Sequence, residues 1–159
     1  MKCNFTAEIK TGNIGGAGTD EGVTLKLIQL NPDGNIGKEL HWSLNVNRHQ
    51  METNATDKFY MEADYFGPID LLHVEIEPRG KDGHATAWNV EYIKILQNYG
   101  NESQSLIFPI NIWLGAKGRD PAQAGVYGAI RANTRGIVNK YQKVLTDDLN
   151  LTYGLVEVK

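Results

Sequence analysis

The sequence predicts an all-β fold of antiparallel strands, arranged as a sandwich or a barrel. Through the first hundred or so residues, short runs of alternating apolar and polar residues recur, and each run has the length of one strand. Turn-forming residues separate these runs, among them Asn31-Pro32-Asp33-Gly34, Gly67-Pro68 and Asn98-Tyr99-Gly100-Asn101. A chain of 159 residues is long enough to bury one core without disulfides.

Seven strands are expected in this part of the chain. Their positions, taken from the alternating runs, are residues 5–11, 23–30, 38–46, 57–63, 70–77, 88–96 and 104–112. The third strand is the clearest, because Leu40, Trp42, Leu44 and Val46 alternate with polar residues. Such alternation predicts one buried face and one face in water. We therefore expect Trp42 in the core, and Trp88 for the same reason.

The apolar pattern changes its period after Gly115. The residues that recur at spacings suited to one face of a helix are Val126, Ile130, Ile137, Tyr141 and Leu145. Three glycines interrupt this stretch, so we expect one or two short helices rather than one long helix. A strand is expected over residues 151–158. This pattern divides the chain into a sandwich over residues 1–114 and a partly helical C-terminal extension over residues 115–159.

Charge is unevenly distributed between the two parts. Residues 1–114 hold 9 Lys/Arg and 15 Asp/Glu, a net charge of −6, whereas residues 115–159 hold 7 and 4, a net charge of +3. Attraction to anionic surfaces should therefore arise from the extension. Its candidate contact residues are Lys117, Arg119, Arg131, Arg135, Lys140 and Lys143. Alternatively, these residues form an ordinary solvated helix face. A sequence pI near 5.8 argues against a nucleic-acid partner.

The most specific motif lies in the glycine-rich stretch near the N-terminus. Thr11-Gly12-Asn13 is followed by Gly16-Ala17-Gly18-Thr19-Asp20 and then by an alternating strand. Together with Phe66-Gly67-Pro68-Ile69 and Trp88-Asn89-Val90-Glu91-Tyr92, these segments resemble PLAT (lipoxygenase-homology) domains. The resemblance implies an antiparallel eight-stranded PLAT-type β-sandwich that binds membranes or partners, often with calcium. In such proteins the chemistry belongs to another domain, so the resemblance also implies a non-catalytic module.

The resemblance implies a calcium site at one end of the sandwich. Asp20 and Asp57 match the two loop aspartates of the family, and calcium prefers carboxylate, carbonyl and water oxygens. Further candidate ligands are Gly18, Thr19, Glu52, Thr53, the Ala55 carbonyl and Thr56. The third loop carries Thr86 where calcium-binding relatives tend to have a carboxylate, with Asp82 nearby, so a partial site is expected. Alternatively, Asp20 caps a turn and Asp57 opens a strand by accepting backbone hydrogen bonds.

Lipid or partner contact is expected at the loop tips as well as in the extension. The tips offer Ile14, Met51 and His84, which are weak anchors because aromatic rings suit the headgroup region best. Tyr65 is the candidate surface aromatic residue. Phe66 beside it occupies a position that is normally buried in the family.

Other chemistries find no support in the residue pattern. The glycine-rich stretch lacks the Gly-Lys-Ser/Thr ending of a phosphate loop and leads into a strand. The four histidines lack the short spacings of a zinc site, and no serine lies in a nucleophile elbow. No segment approaches the roughly 18 apolar residues of a membrane span, and no signal-peptide core is visible.

The expected function is non-catalytic association with a lipid or membrane surface, assisted by calcium. One alternative is a protein-interaction module, with oligomerisation through the C-terminal extension. A second alternative is a carbohydrate-binding β-sandwich. The chain is expected to be soluble or peripheral at a membrane, and the pattern leaves its compartment open.

Overall fold

Two β-sheets and one helix make up the fold. The computed structural model describes residues 2–13, 22–44, 52–77, 88–114, 124–131, 134–146 and 151–158. The elements in chain order are β1 (Lys2–Thr11), β2 (Gly22–Leu30), β3 (Ile36–Leu44), β4 (Thr56–Asp64), β5 (Leu71–Glu77), β6 (Trp88–Tyr99), β7 (Glu102–Leu114), β8 (Ala124–Ile130), α1 (Arg135–Thr146) and β9 (Leu151–Glu157). The prediction of an all-β sandwich is confirmed, and each of the seven expected strands is present.

The strands are divided between a four-stranded sheet and a five-stranded sheet. Sheet 1 has the order β4-β1-β6-β7, and sheet 2 has the order β3-β2-β5-β8-β9. The pairings are antiparallel except that β8 and β9 run parallel. Parallel neighbours need a crossover connection, and α1 lies in the connection between them.

The core lies between the two sheets and follows the predicted alternation. In β1, Phe5, Ala7 and Ile9 are fully buried, while the residues between them are partly exposed. Trp42 and Trp88 are 5% and 0% exposed, so their predicted core positions are confirmed. The Trp88 indole N–H donates a hydrogen bond to Thr11 Oγ1 at 3.1 Å, which satisfies the polar atom of a buried ring.

The prediction that Val126 and Ile130 lie on a helix is wrong. Both residues belong to β8, where Val126 pairs with His73 of β5 and with Tyr153 of β9. Every residue of β8 is buried, because the core covers one face and α1 packs on the other. A strand buried on both faces has a continuous apolar run instead of an alternating one, and such a run resembles a helix segment.

The helix is confined to the second half of the predicted region. Val138 of α1 is buried with Val126, Ile130 and other residues in a second apolar cluster outside the main core. Gly128 makes this close packing feasible, since a Cβ atom there would lie 2.4 Å from Val138 Cγ1. The expected strand at the C-terminal end is present as β9.

The connection between β4 and β5 is fixed by a buried glutamine. Gln97 is fully buried, and its Oε1 atom accepts hydrogen bonds from the N–H groups of Phe66 and Gly67, at 2.9 and 3.2 Å. Its Nε2 atom donates to the Gly67 carbonyl at 2.9 Å. Gly67 has a φ of +84°, which is easily adopted by glycine alone. This bonding buries Phe66, as predicted, and leaves Tyr65 at the surface.

Candidate functional site

The predicted calcium ligands fall partly within the described structure. Glu52, Thr53, Thr56 and Asp57 are described. The candidates that lie outside the described residues are Gly18, Thr19, Asp20, Asp82 and Thr86. The structure therefore brings together the ligands expected from one loop, and the complete calcium site stays a prediction.

Asp57 lies at one end of the sandwich on the inward-facing side of β4. Its cross-strand partner on β1 is Ile9, whose side chain is fully buried. Residues directly opposite each other in an antiparallel pair share a face, so the partly buried Asp57 carboxylate is directed toward the space between the sheet ends. This position suits a ligand shared with a second loop.

The turn before Asp57 is tied to the end of β1. Thr11 N–H donates to the Ala55 carbonyl at 2.9 Å, and Asn54 N–H donates to the Gly12 carbonyl at 3.0 Å. Lys10 Nζ donates to the carbonyl oxygen and to Oδ1 of Asn54, at 2.5 and 2.6 Å. The Ala55 carbonyl, a predicted ligand, thus already accepts one hydrogen bond. The exposed side chains of Glu52, Thr53 and Thr56 remain beside Asp57.

The fit to calcium is incomplete in the described part of the chain. Calcium takes six to eight oxygen ligands, and this turn offers the two carboxylates of Glu52 and Asp57. No group of three or more His, Cys, Asp or Glu residues among those described is close enough to hold a metal ion. The remaining ligands would have to come from the loops that carry Asp20 and Asp82.

Arg131, a predicted surface contact, takes part in an internal ion pair. Its Nη1 atom lies 3.0 Å from Asp70 Oδ1 and 3.1 Å from the Ile69 carbonyl, and Nη2 lies 2.9 Å from Gln104 Oε1. Asp70 is 4% exposed and also accepts a hydrogen bond from Leu30 N–H at 2.8 Å. Burial raises the pKa of the Asp70 carboxyl, and the Leu30 bond and the Arg131 charge oppose that rise.

The other basic residues of the extension differ in their surroundings. Arg135, at the start of α1, forms an exposed ion pair with Glu157 of β9. Lys140 is exposed on α1. Lys117 and Arg119 lie outside the described residues, as does the side chain of Lys143. Of the three predicted cations whose side chains the structure describes, two are therefore paired with carboxylates of the same chain, which reduces the charge that they offer to a surface.

Sheet 2 carries a half-buried histidine on its outer face. His73 of β5 lies beside Lys26 of β2, which in turn pairs with His41 of β3. Burial, together with the positive charges of Lys26 and His41, lowers the pKa of His73 from 6.5 to about 4. This histidine is therefore neutral at physiological pH.

Tyr65 lies at the end of the sandwich opposite to Asp57. In the pairing of β1 with β4, Lys2 is opposite Asp64 and Lys10 is opposite Thr56, so the two ends of β4 lie far apart. Tyr65 is 39% exposed, as expected for a surface aromatic residue. Its ring packs against that of Tyr99 with centroids 4.6 Å apart and an interplanar angle of 64°. The predicted loop-tip contacts Ile14, Met51 and His84 lie outside the described residues.

Tyr65 and Arg131 line the same groove, which sequence patterns did not indicate. The groove has a volume of about 400 Å³ and lies where β7, the edge of sheet 1, meets the end of β9. Tyr65 precedes β5 and Arg131 follows β8, so 66 positions separate them in the chain. Local sequence patterns therefore could not predict that these two residues lie close together in the fold.

In the described part of the chain, no helix is both long and apolar enough to cross a membrane. The helix α1 has 12 residues, whereas a span needs about 20.

The comparisons with solved structures indicate the fold. A coral 8R-lipoxygenase, described as calcium-activated through a C2-like domain, shares 19% identity, with 77% of this chain and 16% of that chain covered and a TM-score of 0.55. A calcium-dependent 11R-lipoxygenase shares 19% identity over 91% of this chain and 21% of that chain, with a TM-score of 0.57. The alpha toxin of Clostridium absonum shares 19% identity over 72% of this chain and 29% of that chain, with a TM-score of 0.53.

This chain thus spans less than a third of the length of each of those proteins. No curated protein matches it significantly in sequence. The family comparison is more specific than the structural likeness, because the PLAT/LH2 domain model matches residues 5–124, which is most of the sandwich. The chain belongs to the PLAT/LH2 domain family.

Proposed function

We propose that this domain is a non-catalytic module that associates with a lipid or membrane surface. The observation that carries the proposal is the family match over residues 5–124. This match includes most of β1, all of β2 to β7 and the turn before Asp57. The loops of a sandwich can present side chains to a surface without rearranging its core, because loops tolerate variation that strands do not.

Calcium would assist this association at the Asp57 end. Two of the structural neighbours are described as calcium-activated or calcium-dependent lipoxygenases, and Asp57 has the partly buried, inward-facing position that a shared ligand needs. A bound cation would reduce the negative charge of Asp57 and of Asp20, the second loop aspartate that the resemblance implies. That reduction would favour contact with anionic lipid.

Vesicle co-sedimentation tests the association. Anionic and zwitterionic vesicles are mixed with the protein in calcium or in chelator. We expect the protein to pellet with vesicles and to pellet more in calcium. Asp57→Asn should remove the calcium-dependent part. Asp64→Asn is the matched control, since Asp64 lies at the other end of the same strand with a side chain that is 81% exposed. An absence of pelleting on both vesicle types, with and without calcium, contradicts the proposal.

A second candidate function is self-association through β9. This strand is the edge of sheet 2, and Tyr153 and Leu155 on it are 67% and 47% exposed. An edge strand has unpaired backbone groups that can pair with another strand, and two copies of β9 related by a two-fold axis would form one continuous sheet. Light scattering after size exclusion tests this candidate. A dimer that Leu155→Lys converts to a monomer supports it, and a wild-type monomer at high concentration contradicts it.

A further inference from the structure

The groove that contains Tyr65 and Arg131 has the chemical properties of a ligand site. We call it the edge groove. Its volume is about 400 Å³, and its walls include Tyr65, Tyr99, Ser103, Ser105, Arg131 and Val158. Sites for small ligands commonly have volumes of this order and combine an apolar wall with a few polar groups.

One end of the edge groove suits a weakly hydrated cation. The rings of Tyr65 and Tyr99 meet at 64° and form a corner of two aromatic surfaces. Glu102 is the cross-strand partner of Tyr99. Burial, a hydrogen bond with Tyr65 and the nearby charge of Glu102 raise the pKa of the Tyr99 phenol, so this carboxylate acts on the same corner. Aromatic faces bind quaternary ammonium groups through the ring quadrupole, and a carboxylate adds attraction to the positive charge.

Arg131 gives the groove a group that suits an anion. Among the described residues its guanidinium donates hydrogen bonds to the Ile69 carbonyl, Asp70 and Gln104. A guanidinium has five N–H donors in a rigid arrangement, so further donors can serve a ligand. The Asp70 and Gln104 contacts hold the guanidinium in place before a ligand arrives, which lowers the entropic cost of binding. The edge of β7 at Ser103 and Ser105, whose exposed side chains face away from Gln104, forms the adjoining wall.

A surface of mixed polarity continues the groove along β7 and β9. A neighbouring depression of about 400 Å³ shares Ser105, Leu106 and Val158 with it and adds Ile107, Val156 and Glu157. Ile107 is 50% exposed. A ligand with a charged head at the tyrosine and arginine end could therefore extend a hydrocarbon chain over this surface.

We propose that the edge groove binds a phosphocholine-type zwitterion, with the quaternary ammonium against Tyr65 and Tyr99 and the phosphate at Arg131. Two sources share this chemistry, a soluble phosphocholine compound and the headgroup of a choline lipid. The site lies at the opposite end of the sandwich from Asp57, so it goes beyond the calcium-assisted association proposed above and does not require it.

Titration with soluble phosphocholine, followed by two-dimensional amide NMR, tests the inference. We expect saturable shifts at Gly67, Ser103 and Ser105, with weaker binding of choline alone and of inorganic phosphate alone. Tyr65→Leu should weaken phosphocholine binding by roughly 3- to 30-fold, the range given by a lost cation–π contact. Tyr65→Phe should retain most of the affinity because it keeps the aromatic face.

Tyr60→Leu is the matched control. Tyr60 is 72% exposed on β4 and does not line the edge groove, so its loss should leave binding unchanged. Glu102→Gln should weaken choline-containing ligands and leave inorganic phosphate unaffected. This variant avoids the folding role of Arg131. The inference is overturned if millimolar phosphocholine shifts none of these amides, or if Tyr65→Leu binds as tightly as the wild type.

Comparing the affinities of a choline lipid and of soluble phosphocholine distinguishes the two sources. If monomeric lysophosphatidylcholine binds more tightly than phosphocholine, and if Ile107→Ser removes this difference in affinity, the ligand is a lipid. Equal affinities assign the site to the soluble zwitterion. Either result upholds the zwitterion site. Vesicle pelleting that is calcium-dependent while phosphocholine fails to bind would uphold the proposed function and reject this inference alone.

Discussion

Arg131 and Asp70, which flank strands β8 and β5 of sheet 2, form an ion pair with Nη1 3.0 Å from Oδ1. Arg131 follows β8 of sheet 2, and its Nη2 atom also contacts Gln104 on β7 of sheet 1 at 2.9 Å. The side chains of Arg131 and Asp70 are 21% and 5% exposed. In the part of the chain that the structure describes, no buried side-chain nitrogen or oxygen lacks a hydrogen-bond partner. This pair is therefore a part of the interior.

Arg131→Met should destabilise the domain by about 3–5 kcal/mol, because it leaves the Asp70 carboxylate buried without its partner. Arg135→Met is the control, since the pair that it breaks with Glu157 is exposed and such pairs contribute about 0–1 kcal/mol. Urea unfolding of both variants measures the difference. Equal losses of unfolding free energy would show that the Arg131 pair is no more important than a surface pair.

His73 should make the domain less stable as the pH falls. Its pKa is lowered from 6.5 to about 4 in the folded state, so the unfolded chain binds the proton first on acidification. The free energy of unfolding is therefore unaffected by this group above pH 6.5 and decreases between pH 6.5 and about 4. The loss is at most about 3 kcal/mol.

His73→Gln should flatten this part of the stability profile, measured by urea unfolding at several pH values. His41→Gln is the control on β3, the edge strand of the same sheet, and should retain most of the slope. A slope that is the same in His73→Gln and in the wild type would assign the pH dependence to another group.

Calcium should raise the melting temperature of the wild-type domain, because an ion that binds only the native state stabilises it. Asp57→Asn and Asp20→Asn should each abolish the shift, and Asp64→Asn should keep it. Differential scanning fluorimetry with and without chelator measures all four proteins. A shift that survives in both Asp57→Asn and Asp20→Asn would place the ion elsewhere.

Gly128→Ala should destabilise the domain by about 1–3 kcal/mol, since the added methyl group meets Val138 in a packed cluster. Its Cβ would lie 2.4 Å from Val138 Cγ1. Gly136→Ala is the control in α1, where nothing lies within 4 Å of the added carbon. That control should be stabilising by about 0.5–1 kcal/mol, because alanine favours the helix. If thermal unfolding shows that Gly128→Ala is as stable as the wild type or more stable, the close packing of Gly128 against α1 is contradicted.

The alternating patterns were sufficient to predict the first seven strands. In β3, Trp42 and Leu44 are buried while His41 and Ser43 are exposed, as the period of two requires. The turn residues predicted the strand ends, because turn formation depends on the local backbone conformations that these residue types favour. Asn31 to Gly34 illustrates this, since Gly34 N–H donates to the Asn31 carbonyl at 2.9 Å. The family motifs predicted a calcium site at one end of the sandwich. Of that site, the structure describes the turn before Asp57 and Asp57 itself.

The sequence by itself determined what depends on near neighbours: the strand periods, the turns, the buried tryptophans and the resemblance to a family. Only the tertiary structure decided the state of β8, because burial by α1 on its outer face removes the alternation that identifies a strand. It also decided the role of Arg131, which charge counting assigned to the surface, and it brought Arg131 and Tyr65 to one groove. Such relationships depend on residues far apart in the chain, whose proximity arises only when the two sheets pack together.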